Sequence, residues 1–96
     1  MHAVVRSYSG SGVNELFDLI EQRREEIENI IRGVSGFVSY SIIRQADSAA
    51  TVTVCADKAG TDASNQVARD WIQANAPDLG VDSPTIFEGR ATLQLS

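Results

Sequence analysis

The sequence contains a single cysteine, Cys55, and a single histidine, His2. One cysteine excludes an internal disulfide, and one of each falls short of a zinc site, so no metal is expected. A reducing cytoplasm is the expected setting. No apolar run approaches the roughly 18 residues of a membrane span. Residues 1–10 also lack the basic start and continuous apolar stretch of an export signal. Basic residues are in deficit, 8 Lys and Arg against 13 Asp and Glu, giving a net charge of −5. That sign repels phosphate backbones and anionic lipid, so neither nucleic acid nor a membrane is an expected partner. The Ser9-Gly10-Ser11-Gly12 run lacks the lysine and spacing of a phosphate-binding loop. The strands, for their part, lack the aromatic platform of an RNA-binding sheet.

What remains is an ordinary globular balance, 43% hydrophobic and 22% charged over 96 residues. The length suits one domain, residues 1–96, which on its own buries only roughly two-thirds of its unfolded surface. Burial at a subunit contact would add to that. Along the chain a strand, a helix and a strand occur twice. The first pass covers Ala3–Tyr8, Val13–Arg32 and Phe37–Arg44; the second covers Thr51–Asp57, Asp62–Ala76 and Thr85–Leu95. This β-α-β-β-α-β order prescribes an α+β fold: a four-stranded antiparallel sheet, both helices on one face, the other face open.

In the first helix Val13, Leu16, Phe17, Ile20, Ile27 and Ile31 recur at steps of three and four, with Arg24 in the same register. Such a stripe marks a helix lying on a sheet. Ser11 is the expected N-cap and Gly33 the expected left-handed C-cap residue. In the second helix Ser64, Val67, Ala68, Trp71, Ile72 and Asn75 form the inner face, Thr61 or Asp62 caps the start, and Pro77 ends it. The third strand alternates Thr51, Thr53 and Cys55 with Val52, Val54 and Ala56. The valines are expected under the helices and the Ser/Thr/Cys set on the open face. A face of that mixed character suits a twofold partner sheet. Gly89 is a candidate bulge in the fourth strand.

The two passes, the Gly33–Ile43 stretch and the acidic exit of the third strand resemble the dimeric α+β barrel superfamily, in particular its antibiotic-biosynthesis-monooxygenase-like proteins. The resemblance implies ferredoxin-like subunits whose sheets pack face to face as a homodimer. It also implies a small aromatic or quinone-like ligand, oxidised in some members without a cofactor; other members degrade haem. Enzymatic members carry an Asn on the first strand and a Trp on the second helix. Here the first-strand residues are Val5-Arg6-Ser7, and Trp71 lies on the second helix but later than usual. Val81 stands where the haem-degrading branch would place a His.

The candidate site residues each have two readings. Trp71 stacks on a flat ligand, or anchors the core. Asn75, one turn on, binds a ligand carbonyl, or satisfies the helix end. Arg6, Glu88 and Arg90 meet on the open face, where an arginine binds a substrate anion or the three form an ion-pair cluster at a dimer seam. Cys55 is a nucleophile if His2 approaches it across the strands, or a small buried hydrophobe. Tyr8 and Tyr40 supply a proton or contact to a ligand, or simply pack. Without a paired histidine, a second cysteine or clustered strand carboxylates, a ligand-binding homodimer is favoured over a cofactor-independent monooxygenase acting on an aromatic or quinone-like molecule. A purely structural protein is the third reading.

Overall fold

The computed structural model describes residues 1–95; Ser96, the last residue of the expected domain, lies outside them. The elements follow in the order β1 (His2–Tyr8), α1 (Val13–Gln22), α2 (Arg24–Arg32), β2 (Phe37–Arg44), β3 (Ala49–Cys55), α3 (Lys58–Asn75) and β4 (Thr85–Arg90). The strands form one sheet in the order β2-β3-β1-β4, every pair antiparallel. This is the ferredoxin-like topology that the alternating pattern calls for.

The expected first helix is two. Arg23 sits between α1 and α2 with φ −108° and ψ 35°, outside helical geometry. Straight continuation would carry Arg24 toward the sheet, because it occupies a stripe position between Ile20 and Ile27. With the break at Arg23, the Arg24 side chain is 81% exposed and pairs with Glu28, while Ile27 and Ile31 stay buried. The break thus keeps a charge out of the core, which would otherwise cost several kcal/mol.

The caps also differ from expectation. Gly12, not Ser11, precedes α1, and no side chain caps it. A Cβ on Gly12 would sit 1.5 Å from the carbonyl oxygen of Leu79, so only glycine lets the 77–84 loop pack this closely. Gly33 is right-handed (φ −77°), and Gly36 takes the positive φ (68°) before β2. α3 starts at Lys58, four residues early, with the Asp57 carboxylate accepting from the Gly60 N–H. Among the described residues the one irregularity in strand register lies in β2 between Phe37 and Ser39, whereas Gly89 pairs regularly with Ala3. β4 ends at Arg90 rather than Leu95.

The largest departure concerns the two faces of β3. β1 turns Val4, Arg6 and Tyr8 toward the helices, all nearly inaccessible. Their partners on β3 are Thr53, Thr51 and Ala49, and Cys55 pairs with His2. The threonine set therefore lies under the helices, with Thr51 and Thr53 buried. Val52 and Val54 lie on the open face beside Val5 and Ala3. Valine and threonine have nearly the same shape and the same strand preference, so alternation alone could not assign the sides. The buried arginine on β1, which needs acceptors, assigns them. Ser39, Ser41 and Ile43 of β2 face outward, joined by Phe87 of β4. The open face is consequently more apolar than anticipated, with Phe87 75% and Ile43 55% exposed.

Candidate functional site

Between α3, the 76–84 loop and the β1–β4 half of the sheet lies a cleft of about 610 Å³. Its apolar walls include Ile72, Val81, Pro84 and Ile86, and Tyr8 and Arg6 reach it from the sheet. Asn65, Arg69 and Gln73 line it from α3, one helical turn apart. The loop is fixed by a bridge between Gly10 and Val81 and by the Asp82 N–H donating to the Ser9 carbonyl at 3.0 Å. The volume falls in the range of small-molecule sites.

Arg6 is the centre of this arrangement. It is 1% exposed. Its Nη1 donates to Ser64 Oγ at 3.1 Å and to Asn65 Oδ1 at 2.9 Å, and its Nη2 donates to Thr53 Oγ1 at 3.2 Å. All three acceptors are neutral. The Nε–H has no partner, nor does the hydroxyl of Thr51, the residue paired with Arg6 across β1 and β3. Two cross-strand partners thus each hold a buried polar group unused, where such groups are normally satisfied.

Two phenols flank the guanidinium. Tyr8 lies on Phe17 edge to face, centroids 5.4 Å apart. Burial raises the pKa of Tyr8 and of Tyr40, more than the neighbouring Arg6 lowers them. Both are therefore neutral at ordinary pH. Tyr40 lines a second, smaller groove of about 490 Å³ between α1, α2 and β2, walled by Ile20, Ile27 and Ile42. Arg44 crosses that groove's edge, paired with Asp18 at 3.0 Å and with Glu21.

The site residues singled out in the sequence are thus divided. Arg6 lines the cleft, and Tyr40 adjoins Arg6 from the second groove. Trp71 and Asn75 line neither. Trp71 is 7% exposed at the seam of α2 and α3, where its indole N–H donates to Glu26 and the Arg23 guanidinium lies 5.4 Å from its ring centroid. Hydrogen bonding to Trp71 and Arg23 lowers the Glu26 pKa. Asn75 accepts from Arg23 at 2.8 Å and donates to the Trp71 carbonyl at 2.9 Å. Arg90 is exposed at the end of β4.

The expected meeting of Arg6, Glu88 and Arg90 on the open face does not occur. Register places all three on the helix side, Glu88 opposite Val4 and Arg90 opposite His2. Glu88 instead approaches His2 at 3.7 Å and Lys58 at 3.5 Å. His2 and Cys55 are indeed cross-strand neighbours, but the imidazole bonds to Thr61 Oγ1 at 2.9 Å. The Cys55 thiol is fully buried, and burial together with Asp57 pushes its pKa up, the reverse of what a nucleophile needs. Sequence reasoning missed Thr51, Asn65 and Arg69. The i, i+4 spacing of Asn65, Arg69 and Gln73 beside the apolar stripe was the available signal for the helical members.

No family model matches the sequence, nor does any curated protein. Solved structures do match over nearly the whole chain. A protein of unknown function from Nitrosomonas europaea, NE2512, shares 17% identity over 99% of this chain and 95% of its own, with TM-score 0.68. SnoaB, a cofactor-independent oxygenase from Streptomyces nogalater, shares 17% over 98% and 95%, with TM-score 0.65. The heme-degrader MhuD from Mycobacterium tuberculosis, solved with two hemes in its active site, shares 15% over 97% and 99%, with TM-score 0.61. At these identities the likeness is one of architecture. The chain shares the ferredoxin-like fold of these proteins.

Proposed function

We propose that this chain is a small-molecule-binding protein of the monooxygenase-like kind, one domain over residues 1–96, acting as a homodimer and holding an aromatic ligand in the cleft above Arg6. The observation that carries this reading is the cleft of about 610 Å³ that joins apolar walls to a buried arginine with an unused N–H. An apolar enclosure with a few convergent polar groups is the usual form of a ligand site. The homodimer rests on the open sheet face, where Val5, Val52, Ile43 and Phe87 lie together without cover from their own chain. Their natural cover is a second copy of that face. A cytoplasmic setting fits the lone buried Cys55.

A second reading, cofactor-independent oxygenation, is favoured by the position of Arg6 beside two neutral phenols. A quinol-like substrate that has released its proton to solvent and lies as an anion against the guanidinium is electron-rich enough to reduce dioxygen itself. A ring methylene would become a carbonyl with one oxygen atom, and the other would leave as water. SnoaB, which shares the fold, is described as such an oxygenase. Haem is a poor fit to these residues. No histidine lines the cleft, whose loop side carries Val81, and the one histidine is engaged with Thr61 and Glu88.

The test of binding is a panel of naphthols, naphthoquinones and anthrones followed by thermal shift and calorimetry. Gln73→Trp, at an exposed cleft position, should block binding and leave the circular dichroism unchanged. If the filled variant binds as well as wild type, the cleft is not the site. Oxygen uptake on the same panel separates the two readings: consumption that needs Arg6 supports oxygenation, and none leaves binding alone.

A further inference from the structure

We infer that the ligand of this cleft is an anion, an aromatic carboxylate or ionised phenol whose charged oxygen docks against Arg6. The inference rests on the cleft being the ligand site, as proposed above, and adds the charge that the site selects. Arg6 is a cation 1% exposed, and all its side-chain partners are neutral. None of the ion pairs among the described residues includes Arg6 or Arg69. A buried charge without a counter-charge is strongly unfavourable, and an incoming anion relieves it.

The hydrogen-bonding inventory points the same way. Arg6, which lines the cleft, keeps an Nε–H without a partner, and the hydroxyl of Thr51, its cross-strand neighbour beneath, is unpartnered as well. The flanking Tyr8 and Tyr40 are held neutral by burial, which makes them donors too. A cluster of donors without a free carboxylate receives an acceptor, and a charged acceptor best. At the cleft mouth Arg69 adds a second positive charge against the single Asp82. The lining therefore carries an excess of positive charge in a chain whose net charge is −5, the reverse of the molecule as a whole. Such local inversion concentrates anions at one place on a surface that otherwise repels them.

The experiment uses three probes of equal size: 2-naphthoate, neutral 2-naphthamide and cationic 2-naphthylmethylammonium, titrated calorimetrically into the full chain at one ionic strength. Naphthoate should bind at least about tenfold more tightly than the amide, the ratio expected of one charge-assisted hydrogen bond. The ammonium should bind weakest. Arg6→Gln should bring naphthoate and amide to about equal affinity. Two exposed-site variants give independent arms: Arg69→Gln should weaken naphthoate alone, and Asp82→Asn should strengthen it alone. Equal binding of naphthoate and amide by wild type overturns the anion inference and leaves the cleft as the ligand site. A naphthoate preference that survives Arg6→Gln overturns the role of Arg6. If no probe binds, the cleft reading fails and the charge selection with it.

Discussion

Replacing Arg6 with methionine should leave the unliganded protein as stable as wild type or make it more stable. The change deletes three donor bonds, so the fate of each acceptor sets the loss. Ser64 keeps a partner, because its hydroxyl donates to the Thr61 carbonyl at 2.7 Å. Asn65 is half-buried beside the open cleft and regains water. Only Thr53 Oγ1, fully buried, is orphaned, at a cost of about 1–3 kcal/mol. Against this stands the penalty of holding a guanidinium out of water with no counter-ion, effectively several kcal/mol. Methionine fills much of the space and adapts to the gap. The expected net effect runs from no change to a gain of about 3 kcal/mol, and each kcal/mol moves Tm by about 4–8 °C in a domain of this size. Urea unfolding at fixed protomer concentration, with the slope unchanged, measures it. The double variant Arg6→Met/Thr53→Val should gain about a further 1 kcal/mol by removing the orphaned hydroxyl. A loss exceeding about 2 kcal/mol in Arg6→Met would refute the reasoning, since it would mean the charge is already compensated within the fold.

Trp71→Phe removes the indole N–H bonded to Glu26 and part of the stacking surface under Arg23; it should cost about 1–2 kcal/mol while leaving naphthoate affinity unchanged. Altered affinity would return Trp71 to the binding site. Phe87→Glu places a charge amid the apolar open face and should convert a wild-type dimer into a monomer in sedimentation velocity; a wild-type monomer at micromolar concentration would sink the homodimer proposal. The tyrosines set an alkaline limit. Burial raises the Tyr8 and Tyr40 pKa values above that of the unfolded chain. The unfolded state therefore loses its phenolic protons first, and their stabilisation, complete below about pH 10, declines as pH rises toward the folded values. Urea midpoints between about pH 9 and 11 should fall more steeply for wild type than for Tyr8→Phe. Equal slopes would show that the Tyr8 hydroxyl is not desolvated.

Local order was legible where a periodic signal was long and its chemistry unambiguous. The strands and helices, their sequence and the antiparallel sheet follow from apolar spacing at two and at three-to-four residues. So does the exclusion of disulfide chemistry, since one cysteine cannot pair within its chain. Arg24 shows where that legibility ended: its stripe position was visible, but whether the helix would bury it, bend or break depended on the sheet beneath. The β3 faces show the same limit more sharply, because Val and Thr alternate with nearly equal volume and strand preference.

Tertiary structure decided what the cleft contains. Arg6, Asn65 and Arg69 come from β1 and α3, up to 63 positions apart in number (69 − 6), and only the seat of α3 on the sheet brings them together, with Thr51 of β3 set beside Arg6 by register. Trp71 and Asn75 went the other way. Their helical spacing was read correctly, but the break at Arg23 placed Glu26 and Arg23 against them and took their polar groups away from the cleft. A sequence specifies which side chains can satisfy one another. Which of them do so is fixed only when packing leaves some buried groups paired and others, like the Arg6 Nε–H, without a partner.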